Sequence, residues 1–211
     1  MKGSSPKEQI LKKIRQALAT LVPVPFPDSE GNSSVFQPQT KDLEIEFAEN
    51  FTALQGKFLF CLNEKELTDQ LLLLKKNKNL QSIFCNESEI KKVLVENGFD
   101  EFAANDIASA DASITTCESL IARTGSILLS SNNESGRTAS IYAPIHICIA
   151  YSRQLVYDVK EGLQTLKSEY GDKLPSFITL ATGPSRTADI EKTLVVGVHG
   201  PKEVFVFLVE D

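Results

Sequence analysis

The sequence predicts an α/β protein, an open and mostly parallel sheet flanked by helices, with a helical extension at its N-terminus. Two observations carry this. Short apolar runs alternate along the chain with single stretches of helical period, the pattern of parallel strands joined by right-handed crossovers. Two of the runs, Ile145–Ala150 and Val204–Val209, are almost continuously apolar, as strands covered on both faces are. The 211 residues, 42% of them apolar and 24% charged, suffice for a sizeable core.

Taken in order, Ser5-Pro6-Lys7-Glu8 is a capping box with proline at the first helical position. Ile10, Leu11, Ile14, Leu18 and Leu21 follow at helical spacing, so the chain opens with a helix. Pro23, Pro25 and Pro27 end it, and residues 22–39, rich in Pro, Ser, Gly and Asn, read as a linker or surface loop. The expected division is residues 1–39 as helix and proline-rich linker and 40–211 as the α/β domain. The first helix has two readings, local docking or packing on a neighbouring subunit.

Leu43, Phe47, Phe51 and Leu54 mark a second helix, ended near Gly56. Strands are predicted at Lys57–Leu62, Ser82–Cys85, Ala112–Thr115, Ser126–Ser130, Ile145–Ala150, Phe177–Ala181 and Val204–Val209. Helices are predicted after Asn63, which has Glu66 at its third position, over Glu87–Asn97 closed by Gly98, briefly over Cys117–Ala122, and over Gln154–Tyr170.

A net charge of −6 without a long basic run disfavours nucleic acid as a partner. Lys75-Lys76-Asn77-Lys78 falls where a helix should end, and there complements the helix dipole. The polar N-terminus lacks the apolar core of a signal peptide, and no apolar run approaches the ~20 residues of a membrane span, so a cytoplasmic protein is expected. Cys61, Cys85, Cys117 and Cys148 are widely spaced with no C-x-x-C, which argues against an iron–sulfur cluster or structural zinc held by this chain.

The densest chemistry lies in Thr182-Gly183-Pro184-Ser185-Arg186-Thr187-Ala188-Asp189-Ile190-Glu191. If a helical turn starts near Thr187, its free N–H groups form an anion site, with Arg186 available for a bidentate contact. On the other reading, Ser185 and Thr187 are helix caps and Arg186 pairs with Asp189 or Glu191. His199, in Gly197-Val198-His199-Gly200-Pro201, is suited to proton transfer or to a simple loop hydrogen bond. His146 alternates within a buried strand and reads as a core histidine. Thr124, Gly125 and Ser126 form a turn with Gly125 at positive φ, and its hydroxyls are either anion donors or incidental to a glycine cap. Arg137, in a Ser/Asn/Gly loop, is a cation able to close over an acidic ligand or a solvated surface arginine. No Walker loop, strand-linked G-x-G-x-x-G or G-x-S-x-G elbow is present.

These residues resemble a known family. Gly183–Glu191 followed by Gly197–Pro201 resembles the C-terminal signature of the lactate-utilisation protein C (LutC/YkgG) family, the LUD domain. Ala112–Thr115 through Thr124–Leu129 is similar to its central motif, and Pro144–Ile147 to the strand that follows; the likeness covers roughly residues 57–211. One departure stands out: the family commonly has glutamate before the Thr-Gly, where this chain has Arg123. The resemblance implies a fold like the NagB/RpiA/CoA-transferase group and a cytoplasmic role in oxidising L-lactate to pyruvate. It also implies partner proteins that carry the iron–sulfur clusters, so that this chain binds no cofactor of its own.

Three functions are then open. The first is a non-redox subunit that binds a small acidic metabolite, with Gly183, Ser185, Arg186 and Thr187 facing Thr124, Gly125, Ser126 and Arg137. The second is a self-sufficient enzyme acting on a small phosphorylated or acyl metabolite, with His199 and Asp189 as its acid/base pair. The third is a pure assembly protein using its N-terminal arm.

Overall fold

The computed structural model describes residues 6–19, 38–102, 106–190 and 193–211. The chain divides into two units, Met1–Pro38 and Gln39–Asp211. In the first, helix α1 (Pro6–Ala19) exposes Ile10, Leu11 and Ile14.

The second unit is the α/β body. Its elements are α2 (Leu43–Ala53), β1 (Lys57–Cys61), α3 (Glu64–Lys78), β2 (Ile83–Cys85), α4 (Ser88–Glu96), β3 (Ala112–Thr115), β4 (Ser119–Ile121), β5 (Ser126–Ser130), α5 (Ala139–Tyr142), β6 (Ile145–Tyr151), β7 (Leu155–Val156), α6 (Val159–Tyr170), β8 (Ile178–Ala181), β9 (Arg186–Ile190), β10 (Thr193–Val196) and β11 (Glu203–Val209). Five strands form one fully parallel sheet in the order β1-β11-β6-β3-β2. A second sheet, β7-β4-β5-β8, is mixed, and among the described residues β9 pairs with β10.

Strand alternation explains the layering. Ile114, Ile147, Ile149, Phe205 and Phe207 face α3 and α4, packing on Leu67, Leu71, Ile90 and Leu94. Cys148, Ala150, Val204, Val206 and Leu208 face the opposite way, onto Phe47 and Phe51 of α2 and Leu120, Ile127 and Leu129 of the second sheet. Ile121 and Leu128 complete the stack against Leu166 of α6. The central sheet is therefore covered on both faces, as its continuous apolar runs predict.

Local signals act as expected at several ends. The Asn63 side chain accepts from the Glu66 amide at 3.0 Å, capping α3, and the Glu66 carboxylate accepts from the Leu62 amide at 2.8 Å. Lys75, Lys76 and Lys78 occupy its last turn. Three expectations need correction. Residues 117–122 are not a helix, because β4 pairs there with β5 and β7. The helix expected from Gln154 begins at Val159, after a 3-10 turn and β7, with Asp158 capping it. No helix starts near Thr187, since residues 186–190 are strand β9 and Thr187 lies opposite Val195. Asp189 is thus a strand residue whose side chain lies outside the described set, as does Glu191.

Candidate functional site

The antiparallel pairing of β5 with β8 decides which polar loops can meet. Ile127 lies opposite Ala181 and Ser130 opposite Ile178. The loops that follow the two strands therefore leave at opposite ends, roughly 13 Å apart for four strand steps.

At one end, the turn before β5 meets the loop after β8. The Ser126 hydroxyl lies 2.8 Å from that of Thr124 and 2.8 Å from that of Thr182. Both loops press on the end of α2. Asn50 donates to the carbonyls of Ala122 and Arg123 at 2.9 and 3.2 Å. Gly183, at φ 76°, runs so close that a Cβ there would stand 2.6 Å from the Leu54 carbonyl oxygen. The Arg186 guanidinium donates to that same carbonyl. In the structure it thus caps the carbonyl end of α2.

The next loop is laced to this one. The Ser185 amide donates to the Pro201 carbonyl and the Gly197 amide to the Ser185 carbonyl, both at 2.9 Å. His199 is held there, exposed, in a groove of about 420 Å³ with Ile141, Tyr142, Pro144, Val198 and Lys202. Lys202 begins the approach to β11 and its amide donates to the Pro144 carbonyl at 2.8 Å, so the groove lies at the amino ends of β6 and β11. No carboxylate lines it among the described residues.

Arg137 lies at the other end. It donates to the Ser176 hydroxyl at 2.7 Å and sits 5.8 Å from the Phe177 ring. Arg123 is also committed elsewhere, in an ion pair 2.6 Å from the Asp158 carboxylate beside α6.

A concavity of about 910 Å³ opens over the carboxyl ends of the parallel strands. Sequence reasoning missed it because its central residue, Glu118, fell inside a predicted helix. The half-buried Glu118 accepts from the Ser130 hydroxyl, and from the Tyr170 hydroxyl at 3.3 and 3.4 Å to its two oxygens. Burial pushes its carboxyl above the ordinary glutamate range, with the charges of Glu169 and Glu87 adding to the effect and the hydroxyl bonds opposing it. Glu87, also missed, is buried and accepts from the Thr116 amide at 2.9 Å, from the Thr116 hydroxyl, and from the Ser135 hydroxyl at 2.6 Å. A carboxylate following a strand's carboxyl end was the available signal for both.

Residues 45–209 match the LUD domain. The chain belongs to the LUD domain family. Among relatives of this LUD domain, lactate utilization protein C of Halalkalibacterium halodurans is 39% identical over 104 residues, which are 48% of this chain and 45% of that protein. The protein of the same name from Bacillus subtilis is 36% identical over 104 residues, 48% and 43% of the two chains. An uncharacterised protein of Neisseria meningitidis serogroup B is 30% identical over 128 residues, 58% of this chain and 52% of its own. The chain thus spans about half the length of the curated relatives it matches. A crystal structure of a DUF162 family protein from Deinococcus radiodurans shares the fold, with a TM-score of 0.59 at 21% identity over 79% of this LUD domain chain and 96% of that one. No helix among the described residues is long and apolar enough to cross a membrane.

The Arg186 contact has a measurable consequence. Arg186→Ala removes one charged hydrogen bond at an exposed helix end, which costs about 1 kcal/mol. A thermal melt should fall by about 3 °C.

Proposed function

We propose that this LUD domain is the ligand-binding or assembly component of a lactate utilisation system. In this reading it serves, in the cytoplasm, the oxidation of L-lactate to pyruvate. The redox centres sit in iron–sulfur partner proteins, and the four cysteines here are buried free thiols suited to packing. Its fold would belong with the NagB/RpiA/CoA-transferase group, and residues 1–39 would be the arm that meets partners.

The observation that carries the reading is the groove at the amino ends of β6 and β11. It brings Lys202 and His199 together with no carboxylate in its described lining, in a chain of net charge −6. A small carboxylate gains there what it would lose elsewhere on an acidic surface. The signature loops act as its frame, through Ser185, Gly197 and Pro201. Arg186, Thr124 and Ser126 support the frame, and Arg137 is too far along β5 to take part.

Thermal shift on the full chain tests this. Millimolar L-lactate or pyruvate should raise the melting temperature of wild type by about 5 °C. Lys202→Met should abolish the rise, and Arg186→Ala should keep it on a slightly lower baseline. Equal shifts in wild type and Lys202→Met would exclude the groove as the site.

A further inference from the structure

The cleft over the carboxyl ends of the parallel strands has a chemistry opposite to that of the His199 groove. Its walls come from the start of α3, from α4, from residues 116–119, from the turn at 152–154 and from α6. Arg153 is the one lysine or arginine in its described lining. That guanidinium is engaged twice, by the Asp211 carboxylate and by the Tyr151 ring 4.4 Å away. Glu64 also accepts from the Tyr151 hydroxyl at 3.0 Å. An anionic metabolite would therefore enter without a free counter-charge, beside Glu64, Glu89 and Glu169.

We propose that this cleft is a second site, in which the Glu118 carboxylate accepts a hydrogen bond from a small uncharged ligand bearing a hydroxyl group. The site does not depend on the function proposed for the groove. Glu118 lies in the cleft wall, where Oε1 accepts from the Ser130 hydroxyl of β5 and both oxygens are within reach of the Tyr170 hydroxyl of α6. The strap at 133–135 is pinned beside it. Glu134 accepts from the Ser88 amide and hydroxyl at 2.5 and 2.8 Å, Ser135 donates to Glu87, and Asn133 reaches the Thr116 hydroxyl at 3.5 Å. The carboxylate is thus placed by two elements, β5 and α6, with the strap bonded to the neighbouring Glu87, Ser88 and Thr116.

The ligand's O–H stays intact and donates a hydrogen bond to the Glu118 carboxylate, so no new charge forms in a cleft without a free cation. Tyr170 is a positioning residue. Its hydroxyl is protonated at neutral pH, and burial raises its pKa further, so it donates to Glu118 there. Partial burial of Glu118 raises its affinity for the proton.

Glycidol, a small uncharged hydroxy-epoxide, is the probe. The Glu118 carboxylate attacks the terminal epoxide carbon, the C–O bond opens, and the alkoxide takes a proton from water to leave a stable ester. Peptide mass mapping of the full-length protein should place the adduct on Glu118 ahead of surface carboxylates. Glycidate, the anionic analogue, should react about tenfold more slowly. The pH midpoint of labelling should lie above the ~4.3 of an unperturbed glutamate. Tyr170→Phe, which removes a bond to the charged form, should move that midpoint further up. Adducts spread evenly over surface carboxylates, glycidate reacting as fast as glycidol, or a midpoint unmoved in Tyr170→Phe would each overturn the proposal. The mapping is done on wild type, so it stands even if a variant folds poorly.

Discussion

Gly125→Ala is expected to melt about 12 °C below wild type, the largest single effect of any exchange considered. Gly125 holds φ 58° and ψ 41° where the turn before β5 lies against α2. A Cβ at this position would stand 2.5 Å from the Phe51 nitrogen, 2.7 Å from the Asn50 carbonyl carbon and 2.9 Å from the Phe51 Cα. All three are backbone atoms, so no side chain can turn aside. Phe51 is fully buried and stacks on Phe47 with ring centroids 5.3 Å apart, so shifting α2 disturbs the inter-sheet core as well. The left-handed conformation costs an alanine ~1 kcal/mol and the forced shift about 3 more. Gly136 is the control. It has φ 63° with nothing within 4 Å of a Cβ, so Gly136→Ala should lose only the conformational part. Calorimetry of both variants separates clash from backbone strain, and equal melting temperatures would remove the close approach at α2 as the cause.

Acid should weaken the fold through His146. This side chain is 1% exposed between the two sheets. Its Nε2 lies 2.9 Å from the Thr115 hydroxyl, while Nδ1 and the neighbouring Ser113 hydroxyl have no partner. Burial alone lowers its pKa from 6.5 to about 4. The unfolded chain therefore binds a proton below pH 6.5 that the native state refuses until about pH 4. Stability is intact above that window and falls as pH drops through it, by about 3 kcal/mol in all. Glu118, shifted upward by its burial, acts in the opposite direction and offsets part of the loss. Urea unfolding at pH 7 and pH 4 should show the fall in wild type and a markedly smaller one in His146→Gln. Parallel curves for the two proteins would show that another group controls the acid response.

The parallel sheet was legible because its long strands β6 and β11 are apolar on both faces and its shorter ones stand between clear helical stretches. Ala112–Thr115 and Ser126–Ser130 fall where the pattern places them, and the glycines at 98, 125 and 171 take the positive φ that ends their helices and turns. The second sheet was not legible as a sheet. β4 has three residues and β7 two, too few to show a period, and they were absorbed into predicted helices. The candidate site suffered for the same reason. Loops after strands converge only when the strands run in the same direction, and the antiparallel β5–β8 pair is a tertiary fact with no local signal. Ser185, Gly197, His199 and Lys202 lie close together in sequence, whereas Glu118 required the assembled end of the sheet.

The two ends of the sheet bear on how the protein meets its ligands in solution. Lys202 and His199 lie where β11 begins, and the cleft with Glu118 lies where it finishes, seven residues or about 23 Å further on. The screening length of physiological salt is only ~8 Å. The charges at one end therefore have little effect at the other. Ionic strength acts on the cationic groove alone. Added salt should slow capture of anions at the groove while leaving entry of uncharged molecules to the cleft unchanged.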